Sequence, residues 1–360
     1  MLRSKLIATL AMLLGLMLLA GAECSGPLSD GFDGTDNGSN NDGDGSTAEA
    51  LDWFDQVWGD FDEKYSYFIE KGIDWEAVRD ENRPSFDQEM TAQEFVEAFS
   101  QVLQELHDWH VWIQAPDGDP LGYEGDYPTN YPPELLTGYA TAEGYQTVGD
   151  SVIQHAWVGQ DVAHILINTL DTTKWQAVTD DAIGNMFVRY QNAAGMIIDL
   201  RRNNGGNEDN AKRIASRLTA QAVLYGRVKT RNGPSHDDFD APIDKTLEPS
   251  DRLHYEGPVV CLIGQRCLSS AEWFTLMMRA AGATLMGDRT RGGSGNPTVL
   301  TLDNGITYAI STWVAYTPGD EVIEDNGIAP DIDMAPEASF DADHDYLLET
   351  AIDTVLGLGG

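Results

Sequence analysis

Gly195-Met196-Ile197-Ile198-Asp199-Leu200-Arg201-Arg202-Asn203-Asn204-Gly205-Gly206 is the stretch on which the fold of this chain turns. Its first half is a short unbroken apolar run, which reads as a buried strand. A Gly pair closes the second half. Glycine accepts backbone conformations that other residues avoid, so the chain can turn sharply there and aim free N–H groups at a ligand oxygen. From Glu208 to Leu218 the pattern becomes helical. Strand, Gly-rich turn and helix in succession make half of a βαβ unit.

The alternation continues on both sides. Val162 to Ile167 reads as a strand and Thr172 to Tyr190 as helical. Val259 to Ile263 is a second buried strand, followed by a helix over Ser270–Ala281 and a strand over Thr284–Met286. Ile306 to Val314 is one long strand, and a closing helix spans Tyr346–Leu356. Residues 144–360 are therefore expected to form an α/β core. Residues 51–113 read as a helical cap: Leu51 to Ile69 carries Phe54, Val57, Trp58, Phe61 and Tyr65 at helical spacing, and Asp74 N-caps a short helix. Thr91-Ala92-Gln93-Glu94 is a capping box that opens a third helix, and Val111-Trp112-Ile113 is a strand. A Pro/Gly/Tyr-rich loop, 114–143, connects cap to core.

The start of the chain carries an export pattern. Arg3 and Lys5 precede an apolar stretch from Leu6 to Leu19, and Ala20-Gly21-Ala22 offers a small-residue cleavage site. Residues 1–23 are thus expected to be a signal peptide. Cys24 follows at once, as in bacterial lipoprotein signals, although Glu23 stands where such signals want a small residue. Lipidation of Cys24 and ordinary cleavage after Ala22 both remain open. The acidic, Gly/Asp/Ser-rich stretch 24–50 has no basic residue and reads as a disordered tether. The expected location is exported: periplasmic, cell-surface lipoprotein or secreted, with membrane attachment only through a lipid on Cys24.

Composition excludes whole classes of function. Of 360 residues, 42% are hydrophobic, enough for a sizeable core. Lys+Arg number 22 against 59 Asp+Glu, a net charge of -37. Such a surface repels phosphate backbones, so no nucleic acid partner is expected. Its field favours basic or neutral peptides over acidic ones.

Two further turns can carry chemistry. Ser269 opens a helix in Cys267-Leu268-Ser269-Ser270-Ala271-Glu272. It is either a plain N-cap boxed with Glu272, or a nucleophilic hydroxyl on a sharp turn beside N–H groups able to stabilise an oxyanion. Glu324-Asp325-Asn326-Gly327-Ile328-Ala329-Pro330-Asp331 is a turn after the long strand.

Taken in order, Leu106-x-Asp108-x-His110-Val111, Asp199-Leu200-Arg201-x-Asn203-x-Gly205-Gly206, Ser269-x-Ala271-Glu272, Gly287-Asp288-x-Thr290-x-Gly292-Gly293 and Gly327-Ile328-x-Pro330-Asp331-Ile332 resemble the C-terminal-processing (tail-specific) serine peptidases, the family that includes the tricorn core. The resemblance covers essentially Leu51 to Leu356. It implies an α/β core of crotonase/ClpP-like ββα-superhelix type under an N-terminal helical cap. It further implies hydrolysis of peptide bonds, in exposed or unfolded protein segments, through an acyl-enzyme. By the same resemblance Ser269 is the nucleophile. The lysine-using branch takes its base from the Gly-rich segment, and 287–295 holds no Lys. Arg289 and Arg291 cannot replace it, because guanidinium keeps its proton. The chain resembles the tricorn-like branch instead, with His110 as base and Glu324, or Glu321 as fallback, as the supporting acid. The backbone N–H of Gly205 or Gly206 and of Ser270 would form the oxyanion hole. Tricorn's core has Ser immediately before its His, where this chain has Trp109. The space 114–159 is too short for the PDZ domain that many members insert, so none is expected, and the tyrosines at 123, 127 and 131 are candidates to line the cleft.

No cofactor and no metal are expected: His107 and His110 lie three apart, yet no ligand cluster accompanies them. Cys261 and Cys267, about 20 Å apart along an extended chain, are expected as buried free thiols unless the chain folds back. The alternative to a peptidase is a catalytically inactive ligand- or peptide-binding protein on the same scaffold.

Overall fold

The computed structural model describes residues 47–125, 127–159 and 161–357. The signal segment, Cys24 and most of the acidic stretch lie outside the described residues.

The central sheet has seven strands. Across it run Ile332–Asp333, Thr284–Gly287, Val259–Ile263, Gly195–Asp199, Val162–Ile167, Ile153–Val158 and Gln146–Val148. The first five are parallel to one another, and the last two add antiparallel at the edge. Val162–Ile167 and Gly195–Asp199 are buried at every position, because the pleat sends alternate side chains into two different cores. Ile165, Ile167, Met196, Ile198, Cys261 and Ile263 join the helices Asp180–Tyr190, Glu208–Ala215 and Ser270–Ala280. Val162, Leu166, Ile197, Val260 and Leu262 face the closing helix Tyr346–Val355. An apolar run without polar alternation is the signature of such double coverage.

The cap is built into the core. Its strand Trp112–Gln114 pairs antiparallel with Thr307–Ser311, Trp112 opposite Ala309, in a four-stranded sheet. Phe54, Phe61, Phe95 and Phe99 of the cap share one apolar cluster with Leu302, Ile306, Tyr308 and Ile310. Each such side chain, fully buried, contributes about 1.5–3 kcal/mol.

Four boundaries differ from the sequence reading. The first helix spans Thr47–Lys64, so it begins inside the stretch assigned to the tether, where Thr47-Ala48-Glu49-Ala50 are competent helix residues and Ala50 is buried. It stops before Ile69; Phe68–Lys71 forms a separate turn of helix closed by Gly72 at φ 65°. The helix expected over 172–190 is two, Thr172–Trp175 and Asp180–Tyr190, because Thr179 caps the second by accepting from Ala182 N–H. The long strand divides at Thr312, into Thr307–Ser311 and Trp313–Tyr316, which belong to different sheets. At the break, Thr312 N–H donates to Gly295 O at 2.9 Å. Cys261 and Cys267 are buried free thiols, as expected.

The parallel strands Gly195–Asp199, Val259–Ile263 and Thr284–Gly287 run directly into the loops that carry Gly205-Gly206, Ser269 and Gly292-Gly293. Ligands of open α/β sheets bind at that carboxyl edge. The segment in which no PDZ domain is expected holds, before the edge strands of the sheet, Leu121–Gly122 and the turn of helix Leu136–Tyr139.

Candidate active site

Ser269 stands at φ 59° and ψ -127°, a conformation that L-residues adopt at a cost and keep only where their surroundings enforce it. Glu272 returns to the Ser269 N–H, so the capping box expected from sequence stands alongside this strained turn. The enforcement comes from Glu272, fully buried one turn on. Oε1 accepts from Thr290 Oγ1 at 2.6 Å and Gly292 N–H at 2.8 Å; Oε2 accepts from Gly293 N–H at 2.9 Å and Ser269 N–H at 3.2 Å. Burial pushes the Glu272 carboxyl up to about 7, with these four bonds pulling the other way. The Ser269 N–H also donates to Gly293 O at 2.8 Å.

Gly205 and Gly206 lie against this turn, at φ 100° and 135°. A Cβ on Gly205 would come within 2.6 Å of Leu268 O, 3.0 Å of Ser269 Cβ and 3.1 Å of Ser270 N. Only glycine leaves that space open. The two glycines are not equivalent donors: Asn203 Oδ1 accepts the Gly205 N–H at 2.9 Å, an Asx turn that takes Gly205 out of contention. The N–H groups of Gly206 and Ser270 donate to no acceptor among the described residues, and Ser270 Oγ ties the two loops together by donating to Gly206 O at 2.6 Å.

His110 arrives from the cap. His107, left-handed at φ 46°, ends the helix, and buried Asp108 then accepts the His110 N–H on Oδ1 at 2.8 Å. Asp108 Oδ1 and His110 Nδ1 are 4.0 Å apart, too far for a hydrogen bond. Burial lowers the imidazole's pKa, and Arg291 adds to this against the opposing pull of Asp108, so His110 is neutral at pH 7 and able to accept a proton.

Three consecutive loop residues gather the three candidates. Gly293 O accepts from Ser269 N–H. Ser294 N–H donates to Glu324 Oε2 at 3.0 Å, and Gly295 N–H makes a long 3.4 Å contact with His110 Nδ1. Glu324 makes no hydrogen bond to His110; the two side chains bind adjacent amides instead. Glu321, the fallback, is exposed, and its side chain makes no hydrogen bond among the described residues.

Residues 161–334 match the profile of Peptidase family S41, and residues 46–104 that of the tricorn protease C1 domain. Over residues 161–334 the chain is of peptidase family S41. It is thereby a serine peptidase by class. A candidate peptidase from Parabacteroides merdae, of known structure, is 27% identical, with 86% of this chain and 97% of that one covered and a TM-score of 0.76. The tricorn protease of Thermoplasma volcanium is 27% identical over 174 residues, which are 47% of this chain and 15% of that protein's length. Mature CPAF, solved in complex with lactacystin, shares the fold at 13% identity and a TM-score of 0.65, covering 87% of this chain and 98% of its own.

This S41 peptidase also places around Glu324 a group that sequence reasoning passed over. Lys71 Nζ, its side chain 6% exposed, lies 3.1 Å from Glu324 Oε1, whose side chain is 1% exposed, and 2.9 Å from Asp325. It also donates to His107 O at 3.2 Å. Burial pushes the Glu324 carboxyl well above its ordinary range, the charge of Asp108 adds to this, and Lys71 pulls it back. Burial draws the Lys71 ammonium down, but Glu324, Asp108 and Asp325 outweigh it and raise its pKa. The only hint in the sequence is the rarity of lysine in so acidic a chain. Among the described residues, no group of three or more His, Cys, Asp or Glu is arranged to hold a metal ion.

Proposed function

We propose that the chain is an endopeptidase that hydrolyses peptide bonds through an acyl-enzyme on Ser269. The observation that carries this is the loop Gly293–Gly295, whose successive backbone groups bind Ser269, Glu324 and His110, residues from three distant parts of the chain. Neutral His110 takes the Ser269 hydroxyl proton as Oγ attacks the scissile carbonyl. The oxyanion falls to the N–H groups of Gly206 and Ser270, the latter at a helix N-terminus whose dipole favours negative charge. His110 then returns the proton to the leaving amine, and a water, activated the same way, releases the acyl group. Glu324 acts at one remove, holding Ser294 so that Gly295 and the His110 ring keep their place. Exposed or unfolded protein segments are the substrate class, and residues 1–23, with Cys24, deliver the enzyme outside the cytoplasm.

A fluorophosphonate probe tests the assignment. Wild type is expected to label on Ser269, Ser269→Ala not at all, and His110→Ala at least 100-fold more slowly. Equal labelling of wild type and Ser269→Ala removes Ser269 from the role. Peptide binding with no labelling and no hydrolysis across a broad panel favours the inactive binding protein. The intact mass of the mature N-terminus tests export and reports whether Cys24 carries lipid.

A further inference from the structure

The turn of helix Phe68–Lys71 brings two cap side chains, four residues apart, against the candidate site. Lys71 N–H donates to Tyr67 O at 3.0 Å, and Lys71 Nζ stands 6.0 Å from the centroid of the Tyr67 ring. Tyr67 Oη lies 3.4 Å from Ser294 Oγ and accepts from Ala315 N–H at 3.3 Å. Lys71 reaches further. Its ammonium has three N–H groups and meets three partners: His107 O at 3.2 Å, the Asp325 carboxylate at 2.9 Å and Glu324 Oε1 at 3.1 Å. Glu324 Oε1 accepts no hydrogen bond among the described residues, so the charge of Lys71 is what answers it. Around Glu324 stand Asp108 from the helix end before His110, Lys71 from the short helix, Tyr65 and Tyr67 from the segment before that helix, and Asp325 from its own turn.

A buried ion pair adds little net stability, because desolvation consumes most of the attraction, and a well-packed apolar pair would join cap to core as well. An apolar pair cannot keep Glu324 an anion. Burial and the Asp108 charge both favour a proton on that carboxyl, and Lys71 opposes them. The carboxylate form makes a charge-assisted bond to Ser294 N–H, 3.0 Å long, and the next residue, Gly295, contacts His110 Nδ1 through its N–H. At the other end of the ammonium, His107 O belongs to the left-handed residue that ends the helix three positions before His110. We propose that Lys71 is a positioning residue for the base: its one ammonium ties the backbone entering His110 to the Glu324 turn and so holds the imidazole in register with Ser269. A cap residue other than His110 thus takes part in the reaction without touching substrate. The proposal rests on the reading of Ser269, His110 and Glu324 as the peptidase site.

Fluorophosphonate labelling of the intact protein, resolved into kinact and KI across neutral and alkaline pH, tests this. Lys71→Met is expected to lower kinact about tenfold at pH 7 and to leave KI within about twofold, because positioning is lost and binding is not. Its labelling should recover as pH rises and Glu324 gives up the proton that Lys71 had kept off it. Wild type shows only the His110 limb. Glu324→Gln in the Lys71→Met background removes the recovery, and Lys71→Arg, which keeps the charge, does not show it. Urea unfolding reads the same proton without activity. In Lys71→Met the folded pKa of Glu324 lies above its unfolded value, so the stability it contributes is present below the unfolded pKa and lost as pH rises through the folded one. The stability gap between Lys71→Met and the double variant should therefore widen with pH and level off where labelling recovers. Labelling of Lys71→Met within about threefold of wild type at pH 7, a changed KI at constant kinact, or one pH profile with and without Glu324→Gln overturns the proposal. Absence of Ser269 labelling in wild type, with the stability gap following pH as described, overturns the peptidase reading alone.

Discussion

Replacing Gly205 by alanine puts one methyl group at the point where three loops meet. The built Cβ lies 2.6 Å from Leu268 O, which must retreat roughly 0.8 Å to reach ordinary contact. That oxygen is backbone and belongs to the residue before Ser269, so the retreat moves the nucleophile turn itself. The same Cβ stands 3.1 Å from Ser270 N, one of the two proposed oxyanion donors. At φ 100° an alanine also adds about 1–3 kcal/mol of backbone strain. Losing one oxyanion donor alone slows acyl transfer about 100- to 1,000-fold. Gly205→Ala is therefore expected to label with a fluorophosphonate at least 100-fold more slowly than wild type and to melt about 5–10 °C lower. Gly184→Ala is the control: Gly184 is inside the helix Asp180–Tyr190, where a Cβ meets only Arg252 Nη1 at 3.8 Å. It should stabilise by about 0.5–1 kcal/mol and label at the wild-type rate. Labelling of Gly205→Ala within threefold of wild type refutes the placement of the oxyanion site.

Two other perturbations follow from buried charge. Lys71→Met leaves Glu324 without its cation and is expected to cost about 3 kcal/mol in urea unfolding at pH 8, with Glu324→Gln in the same background restoring most of it; no recovery in the double variant counts against the pairing. The depressed pKa of His110 places the acid limb of kcat/KM, on neutral peptides, below the ordinary 6.5. Because the fold favours neutral imidazole, the stability His110 contributes is present above its unfolded pKa and is lost as pH falls through the folded value. Arg291→Gln should move the limb upward, and a wild-type limb at or above 6.5 contradicts the burial of the ring.

Ser269, His110 and Glu324 stand out in the sequence as candidates because each sits in a local pattern: a Ser-x-Ala-Glu turn, a helix end and a Gly-Ile-x-Pro turn. What escaped depended on partners far along the chain. Lys71 and Glu324 are 253 positions apart by their numbering, and nothing near Lys71 announces the carboxylates it meets. The division of the long strand at Thr312 reflects a bond to Gly295, not a change in the apolar pattern around it. Gly206 could have been preferred to Gly205 from sequence alone. An Asn two residues before a Gly is an Asx-turn signal, and Asn203 spends the Gly205 N–H in that way.

The loop Gly293–Gly295 has a bearing on when the enzyme can act. Its three successive groups hold residues supplied by the cap, the sheet edge and the turn after the last long strand. No intermediate in which cap and core have yet to join holds all three together. On the proposed assignment, a half-folded chain has no assembled catalyst, and it cannot cut its siblings while their own segments are exposed.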